Sequence, residues 1–252
     1  MRLDQYLTEK GIFDTRTKAK QAIERGEIFI NKKCIGKVSY QINENEDYLV
    51  ERVFENSFVS LGGFKLQKAL IDFDFNPSGL IIADIGASTG GFTDCLLKNG
   101  AQKVYTVDLN DQLLHDNLKK DARVVPLIKN ARELTKVDFN EKIDLIVADL
   151  SFISVNYVLE TFSNLLNDND KLIILIKPQF ETGGKKKFKN GIVKDKKLQI
   201  SVCNDVYDNA LKFNLIPQKF TTAPIVDGKN VEFLMLFEKN GSYLLDKNKI
   251  TF

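Results

Sequence analysis

The chain has little of the chemistry that histidine and cysteine supply. Its 252 residues include one histidine and three cysteines. The single histidine, His115, excludes a His-Glu-x-x-His metal site and leaves a Ser-His-Asp triad implausible, and its polar surroundings predict a solvated helix residue. The cysteines lie far apart with no C-x-x-C spacing, which argues against both a disulfide framework and a zinc cluster. We expect reduced, partly buried thiols at Cys34, Cys95 and Cys203, and no bound metal.

Long hydrophobic runs are absent as well. No apolar segment approaches the roughly 18–20 residues of a membrane-spanning helix, and the opening MRLDQYLTEK is too charged for a secretory signal. The composition, with 43% hydrophobic and 28% charged residues, is that of a globular protein and excludes disordered, collagen-like and coiled-coil classes. We therefore expect a cytoplasmic protein without a membrane partner, built from one large domain and a small appendage.

Basic residues are concentrated in the N-terminal segment. Residues 1–40 hold nine basic and five acidic side chains, and the next twenty residues reverse this balance. The pattern predicts two short helices, ending near Gly11 and Gly26, then a small hairpin around residues 31–33 and a strand in DYLVERV. The basic side chains could contact a phosphate backbone or could form an ordinary solvated helix face.

The segment RLDQYL, followed by TRTKAKQAIERGEIFINKK, resembles the S4-like RNA-binding domain. The resemblance covers roughly residues 1–55 and implies a small α+β module that contacts structured RNA. By itself the module implies a ligand class and no reaction. The residues expected to contact RNA are Arg2, Arg16, Lys18, Lys20, Arg25, Lys32 and Lys33.

From Leu80 onward, predicted strands and helices alternate. The segments LIIADIG, KVYTVDL, RVVPLI, IDLIVADL, KLIILIK and VEFLMLFE predict strands, and several are continuous apolar runs typical of strands buried on both faces. This rhythm predicts an α/β domain with a Rossmann-like, doubly wound parallel sheet whose ligands bind at the carboxyl ends of the strands.

A glycine-rich turn follows the first of these strands. In DIGASTGGF, Ser88 replaces the second glycine of the dinucleotide pattern, and Asp84 would repel a diphosphate but attract a cationic ligand. The next strand ends in Asp108, 22 residues after Gly86, at the usual place for an acid that accepts hydrogen bonds from a ribose. Together these features favour S-adenosylmethionine over NAD. The residues expected to bind it are Asp84, Gly86, Ala87, Ser88, Thr89, Gly90, Gly91, Phe92, Asp108, Leu109 and Asp149.

Ionisable residues follow two later strands. Asp149 begins DLSF, which lacks both the motif of base-amine methyltransferases and a nucleophilic cysteine, so a different acceptor is implied. Lys177 ends the next strand and should stand beside Asp149 at the rim of the sheet. Lys65 and Glu232 could converge on the same place, although Glu232 could instead face solvent at a strand start.

Six motifs, in order behind the N-terminal module, resemble the TlyA family of ribosomal RNA 2′-O-methyltransferases, whose catalytic domain is similar to the FtsJ group. They are SLGGFKL, DIGASTGGFTDCLL, DLSFIS, LIKPQFE, NGIVKD and NVEFL. The resemblance implies a class I methyltransferase fold, methyl transfer to a cytidine ribose in ribosomal RNA, and a catalytic tetrad. The matching residues are Lys65, Asp149, Lys177 and Glu232. The family methylates large-subunit RNA and some members also small-subunit RNA, and the short ends of this chain resemble the branch restricted to the large subunit.

Lys177 is the candidate base for the ribose hydroxyl. Nearby Lys65 and partial desolvation would favour a neutral Lys177, whereas Asp149 and Glu232 act in the opposite direction, and the sequence leaves this balance open. Leu61 stands where the family often has arginine, and the basic residues Lys185, Lys186, Lys187 and Lys189 are either phosphate contacts or a surface loop.

The expected organisation is an RNA-binding domain at 1–55, a linker at 56–60, a methyltransferase domain at 61–242 and a tail at 243–252. We expect a monomer whose partner is ribosomal RNA or a ribosomal subunit, and no DNA partner. A non-catalytic RNA-binding or ribosome-assembly protein and a haemolysin, a label that the resemblance also brings, are the alternatives.

Overall fold

The computed structural model describes residues 1–24, 27–31, 33–35, 38–43, 46–52, 58–182, 188–226 and 228–251. Two helices and a three-stranded antiparallel sheet form the N-terminal part. They are α1 (Leu3–Glu9), α2 (Arg16–Glu24), β1 (Ile28–Ile30), β2 (Lys33–Cys34) and β3 (Val50–Arg52), with the sheet order β2-β1-β3. Apolar residues at helical spacing, among them Leu3, Leu7 and Ile23, are fully buried against the sheet residue Ile28. The predicted pair of helices and hairpin is confirmed.

The larger part is a seven-stranded sheet with helices on both faces. Its elements are α3 (Leu61–Asp72), β4 (Ile81–Ile85), α4 (Gly91–Lys98), β5 (Lys103–Asp108), α5 (Asp116–Lys119), β6 (Val124–Ile128), β7 (Leu145–Ala148), α6 (Leu159–Leu165), β8 (Lys171–Ile176), α7 (Pro178–Glu181), α8 (Lys196–Leu211), β9 (Leu215–Thr222) and β10 (Phe233–Lys239). The strand order is β6-β5-β4-β7-β8-β10-β9. The predicted α/β, Rossmann-like class is confirmed.

The sequence pattern predicts a sheet that is parallel throughout, but the observed sheet is mixed. Strands β4 to β8 pair in parallel, but β10 is antiparallel to both β8 and β9. The edge strand β9 was not predicted, because Pro217 lies within it and its residues alternate poorly. Proline is tolerated at an edge, where one side of the strand needs no ladder hydrogen bonds, and the pairing with β10 is irregular next to Pro217.

Alternate residues of the central strands face two separate hydrophobic clusters. Ile82 and Val104 belong to the cluster that contains α3 and α4, whereas Ala83 and Tyr105 belong to the cluster that contains α6 and α8. Burial on both faces fixes the register of each strand, because a slip by one residue would exchange the two faces. The carboxyl ends of β4, β5, β7 and β8 are thereby held side by side.

Packing extends beyond the bounds that the sequence suggested for the large domain. Phe58, within the predicted linker 56–60, is buried in the cluster with α3 and α4. Leu245 and Ile250, within the predicted tail 243–252, are buried in the cluster with α6 and α8, and the Tyr207 hydroxyl donates to the Leu245 carbonyl at 2.7 Å. Within the described ranges, no helix combines the length and apolar character that a bilayer crossing requires.

Candidate active site

A tight turn joins β4 to α4 and forms one wall of a cleft. Gly86 and Gly90 have φ values of +85° and +88°, and Ser88 adopts the same left-handed region at +50°. A Cβ atom at Gly86 would lie 2.6 Å from the Asp149 carbonyl oxygen, so no larger residue fits there without displacing the backbone. The turn leads directly into the N-terminus of α4, whose first residue is Gly91. The predicted strand-turn-helix arrangement is thus present.

Asp84 lies beneath this turn and is fully buried. Its Oδ2 accepts a hydrogen bond of 2.6 Å from the Thr93 hydroxyl, but its Oδ1 has no partner in the described part of the chain. Burial, together with the charge of Asp149 and against the opposing effect of the Thr93 hydrogen bond, raises the pKa of Asp84 to about 7. A buried carboxylate oxygen without a donor is costly, and a cationic ligand would compensate it.

Asp108 ends β5 on the other side of the turn. Its two oxygens accept hydrogen bonds from the backbone N–H groups of Ser88 at 2.8 Å and Leu109 at 2.7 Å. These bonds hold the carboxylate at the rim, beside a cleft that Leu114 and Ile128 also line. Leu109 itself is 71% exposed. Leu109 was among the predicted cofactor residues, whereas Leu114 and Ile128 were not predicted from the sequence.

Eight of the residues expected to bind the cofactor line one continuous cleft, and the candidate catalytic residue Lys177 lines it with them. The cleft is lined by Ser60, Gly62, Asp84, Gly86, Ala87, Ser88, Thr89, Gly91, Phe92, Asp149, Ser151 and Lys177. The buried acid and the glycine turn of this cleft, together with Asp108 in the adjoining cleft, fit S-adenosylmethionine, which has a cationic amino acid part and a ribose. They would fit a diphosphate poorly, because both carboxylates would repel it.

Lys177 and Asp149 form an ion pair at the floor of this cleft. Asp149 follows β7 and Lys177 follows β8, and their Nζ and Oδ1 atoms are 2.5 Å apart. The Lys177 Nζ also donates a hydrogen bond of 2.8 Å to the Ser151 hydroxyl. Only about a tenth of the Lys177 side chain is exposed (10%), so the pair is shielded from bulk water. The sequence predicted the pair and did not identify Ser151.

Lys65 and Glu232 form a second, partly buried ion pair. The Lys65 Nζ on α3 lies 2.6 Å from the Glu232 Oε2, and both side chains are less than a fifth exposed, at 16% and 14%. Burial tends to lower the pKa of Lys65, but the charges of Glu232 and Asp149 outweigh it and raise that pKa. Glu232 precedes β10, as the strand-start alternative had it, yet it points to Lys65 rather than to solvent. The action of Asp149 on Lys65 brings the four candidate residues into one electrostatic group.

A further carboxylate, which sequence reasoning missed, fixes the loop between β7 and α6. Glu181 on α7 accepts hydrogen bonds from the Ser154 hydroxyl at 2.6 Å and from the Val155 N–H at 3.1 Å. Within this loop Phe152 has a φ of +66° and is 91% exposed, and its ring lies 5.2 Å from that of Phe180. The Phe180 ring lies in turn 5.8 Å from the Lys177 Nζ, so Phe180 lies between the exposed Phe152 ring and Lys177 in this chain of contacts.

Other residues that the sequence analysis singled out cap a helix or pack in the core rather than line the cleft. His115 does not lie within a helix but caps α5, where its Nδ1 accepts from the Asn117 N–H at 3.2 Å. Cys95 and Cys203 are free and buried, and the Cys34 side chain lies outside the described part. Leu61 begins α3 and packs against the cluster with α3 and α4. No group of three or more potential metal ligands occurs within the described ranges.

The N-terminal basic residues are only partly described. Arg2 and Arg16 are about half exposed, at 46% and 55%, and both pair with the buried carboxylate of Asp4. Lys18 pairs with Asp14, and Lys20 is exposed on α2. Arg25 and Lys32, the side chain of Lys33, and Lys185, Lys186 and Lys187 lie outside the described residues, whereas Lys189 is exposed in a short 3₁₀ turn.

Comparisons with known proteins agree with this architecture. Residues 58–239 match the FtsJ-like methyltransferase family model, and residues 1–47 match the S4 domain model. Hemolysin A of Brachyspira hyodysenteriae is 37% identical over 240 residues, which are 94% of this chain and 99% of that protein. The 16S/23S rRNA (cytidine-2'-O)-methyltransferase TlyA of Mycobacterium tuberculosis is 36% identical over 199 residues, 79% of this chain and 74% of that protein.

A solved structure is also similar to this chain in both sequence and fold. The putative hemolysin from Streptococcus thermophilus has a TM-score of 0.73 and 34% identity, and the match covers 99% of this chain and 94% of that one. S-adenosylmethionine is the methyl donor of the family. The chain belongs to the FtsJ-like methyltransferase family and carries an S4 domain in its N-terminal part.

Proposed function

We propose that this enzyme transfers a methyl group from S-adenosylmethionine to the 2′-hydroxyl of a cytidine in ribosomal RNA, first of all in the large subunit. The observation that carries the proposal is the position of Lys177, between Asp149 and Ser151 on the floor of the glycine-turn cleft. A ribose hydroxyl is a weak nucleophile, so its site needs a basic group that is held next to the methyl donor. A ribosomal substrate also implies that the enzyme works in the cytoplasm.

Asp84, Asp108 and the glycine turn would hold the methyl donor. The unpartnered Oδ1 of Asp84 lies where a cationic amino acid part would compensate it, and Asp108 is positioned at the rim for the ribose hydroxyls. When bound, S-adenosylmethionine supplies a methyl group on a sulfonium centre. The burial of the cleft floor excludes water from the acceptor oxygen.

The two lysines have different roles in this proposal. Glu232 and Asp149 raise the pKa of Lys65, so Lys65 stays an ammonium and can polarise the acceptor oxygen. Lys177 then accepts the proton of the 2′-hydroxyl. The oxygen would take the methyl group of a donor held by Asp84, Asp108 and the glycine turn, and the donor's sulfur would keep the electron pair of the broken carbon–sulfur bond. Asp149 and Glu232 keep the two lysine side chains in place.

Features outside the tetrad support an RNA acceptor. The exposed Phe152 ring, which follows Ser151 and contacts Phe180, is suited to stack on an unpaired base, the usual way in which proteins hold single-stranded nucleotides. Arg16, Lys18 and Lys20 lie on or at the start of α2 and could contact phosphates, with residues 1–55 acting as the RNA-binding domain. The relative from Mycobacterium tuberculosis has ribosomal RNA in its name, for both subunits.

The test combines binding and transfer. Isothermal titration with S-adenosylmethionine is followed by tritium transfer to isolated ribosomal subunits and by mass-spectrometric mapping of ribose methylation. We expect Lys177→Ala to abolish transfer with cofactor affinity changed by less than about threefold. Lys212→Ala serves as the matched control, since Lys212 is exposed just before β9, at the opposite edge of the sheet from the cleft.

Binding without transfer to any subunit would favour a non-catalytic assembly protein. Transfer to both subunits would extend the substrate to 16S RNA. Equal loss of cofactor binding and transfer in Lys177→Ala would contradict the assigned role of Lys177.

A further inference from the structure

Ser151 lies in the candidate active site, and no role follows for it from the tetrad. It is the second residue after Asp149 in the loop between β7 and α6, and its side chain lines the cleft next to Gly86 and Lys177. Its hydroxyl accepts a hydrogen bond from the Lys177 Nζ at 2.8 Å.

An ammonium group has three N–H bonds in a tetrahedral arrangement. The Lys177 Nζ directs one N–H to the Ser151 hydroxyl at 2.8 Å, whereas its contact with the Asp149 Oδ1 at 2.5 Å is an ion pair without hydrogen-bond geometry. The Ser151 hydroxyl therefore fixes a direction at the Nζ, and a remaining direction is available to the acceptor hydroxyl. A lysine held by Asp149 alone could still rotate about its side-chain torsions, whereas two anchors from the same loop fix the Nζ in place.

The loop that carries Ser151 is itself held in place. Glu181 binds Ser154 and Val155 on the far side of Phe152. Glu181 also ends the short helix α7, for which Lys177 is the N-cap residue. Ser151 and Lys177 are therefore attached to one frame, so the distance between them does not depend on a mobile segment.

We propose that Ser151 is a positioning residue for methyl transfer, which holds the Lys177 Nζ in the direction of the acceptor hydroxyl. This role rests on the proposed function. The Ser151 hydroxyl accepts a hydrogen bond both before and after Lys177 takes up the substrate proton, so it orients the lysine throughout the step and is not consumed or charged.

The test compares Ser151→Ala with Ser151→Thr, which keeps the hydroxyl. A hydrogen bond to a charged group is removed in the alanine variant, so we expect kcat to fall about 10- to 100-fold. KM for the RNA and the affinity for S-adenosylmethionine should change by less than about threefold, because the residue acts through Lys177. The threonine variant should recover most of the lost rate. Ser201→Ala, an exposed serine on α8, is the matched control.

A second readout does not depend on turnover. In ¹H–¹⁵N spectra of the lysine ammonium groups, the Lys177 signal, identified by its loss in Lys177→Arg, should be protected from exchange in the wild-type and Ser151→Thr chains and broadened in Ser151→Ala. An alanine variant with wild-type kcat and an unchanged signal would overturn the proposal, as would loss of cofactor binding in parallel with rate. A wild-type chain without transfer to RNA would instead refute the proposed function.

Discussion

The pH dependence of cofactor binding should report the proton on Asp84. This carboxyl group is fully buried, and burial is the main cause that raises its pKa to about 7. Without a ligand it is therefore mostly neutral at pH 6. A cationic ligand is attracted to the ionised form, so binding at pH 6 must release the proton first, which weakens the observed affinity. The expected direction is tighter binding as the pH rises toward 7.5.

The magnitude follows from the ionised fraction. With a pKa of about 7, this fraction is about one-tenth at pH 6 and about three-quarters at pH 7.5, so the dissociation constant of S-adenosylmethionine should fall about eightfold. Calorimetry in two buffers of different ionisation enthalpy should detect release of about 0.9 proton at pH 6 and about 0.25 at pH 7.5. Asp84→Asn should bind weakly and without this pH dependence. Asp108→Asn should bind weakly but keep it. Equal affinities at pH 6 and 7.5, with no proton released, would refute the reasoning.

Four further outcomes are expected. The folded-state pKa of Asp84 exceeds its ordinary value, so ionisation of Asp84 destabilises the ligand-free chain as the pH rises from about 4 to 7. The loss of stability is at most roughly 4 kcal/mol. Asp84→Asn should therefore raise the melting temperature at pH 8 and not at pH 4. Gly86→Ala should weaken cofactor binding strongly. Gly79 has a similar φ but lies in open space, so thermal melting of Gly79→Ala should show only the cost of the backbone strain, about 1–3 kcal/mol. Deletion of residues 243–252 removes two buried side chains and should lower the free energy of unfolding in urea by about 3–6 kcal/mol. Burial raises the pKa of Cys95, so a thiol reagent should leave it unmodified until the chain unfolds.

Residues next to predicted strands were predictable from the sequence. Asp84, Asp108, Asp149 and Lys177 each end or follow an apolar run, and the rule that parallel strands end at one edge was enough to bring them together. Lys65 and Glu232 are 167 residues apart, and their pairing was expected through the family motifs rather than from any local pattern.

Other features depend on contacts that a sequence pattern does not encode. The partner of Ser151 is set by a left-handed turn at Phe152 and by the Glu181 carboxylate, so an ordinary serine gave no signal. The antiparallel direction of β10 follows from its pairing with β9, and β9 was not predicted as a strand because it contains Pro217. The burial of Leu245 is likewise a tertiary contact, because the segment around it lacks any periodicity.

The close approach of Gly86 to the Asp149 carbonyl joins two loops with different tasks. Under the proposed function, one loop contacts the methyl donor and the other carries Asp149, the partner of the base Lys177. A Cβ atom at Gly86 would lie only 2.6 Å from the Asp149 carbonyl oxygen. The donor pocket therefore cannot be enlarged at this point for a bulkier cofactor analogue without moving the acid beside Lys177. A substitution at Gly86 that changes cofactor specificity should therefore also change the turnover rate.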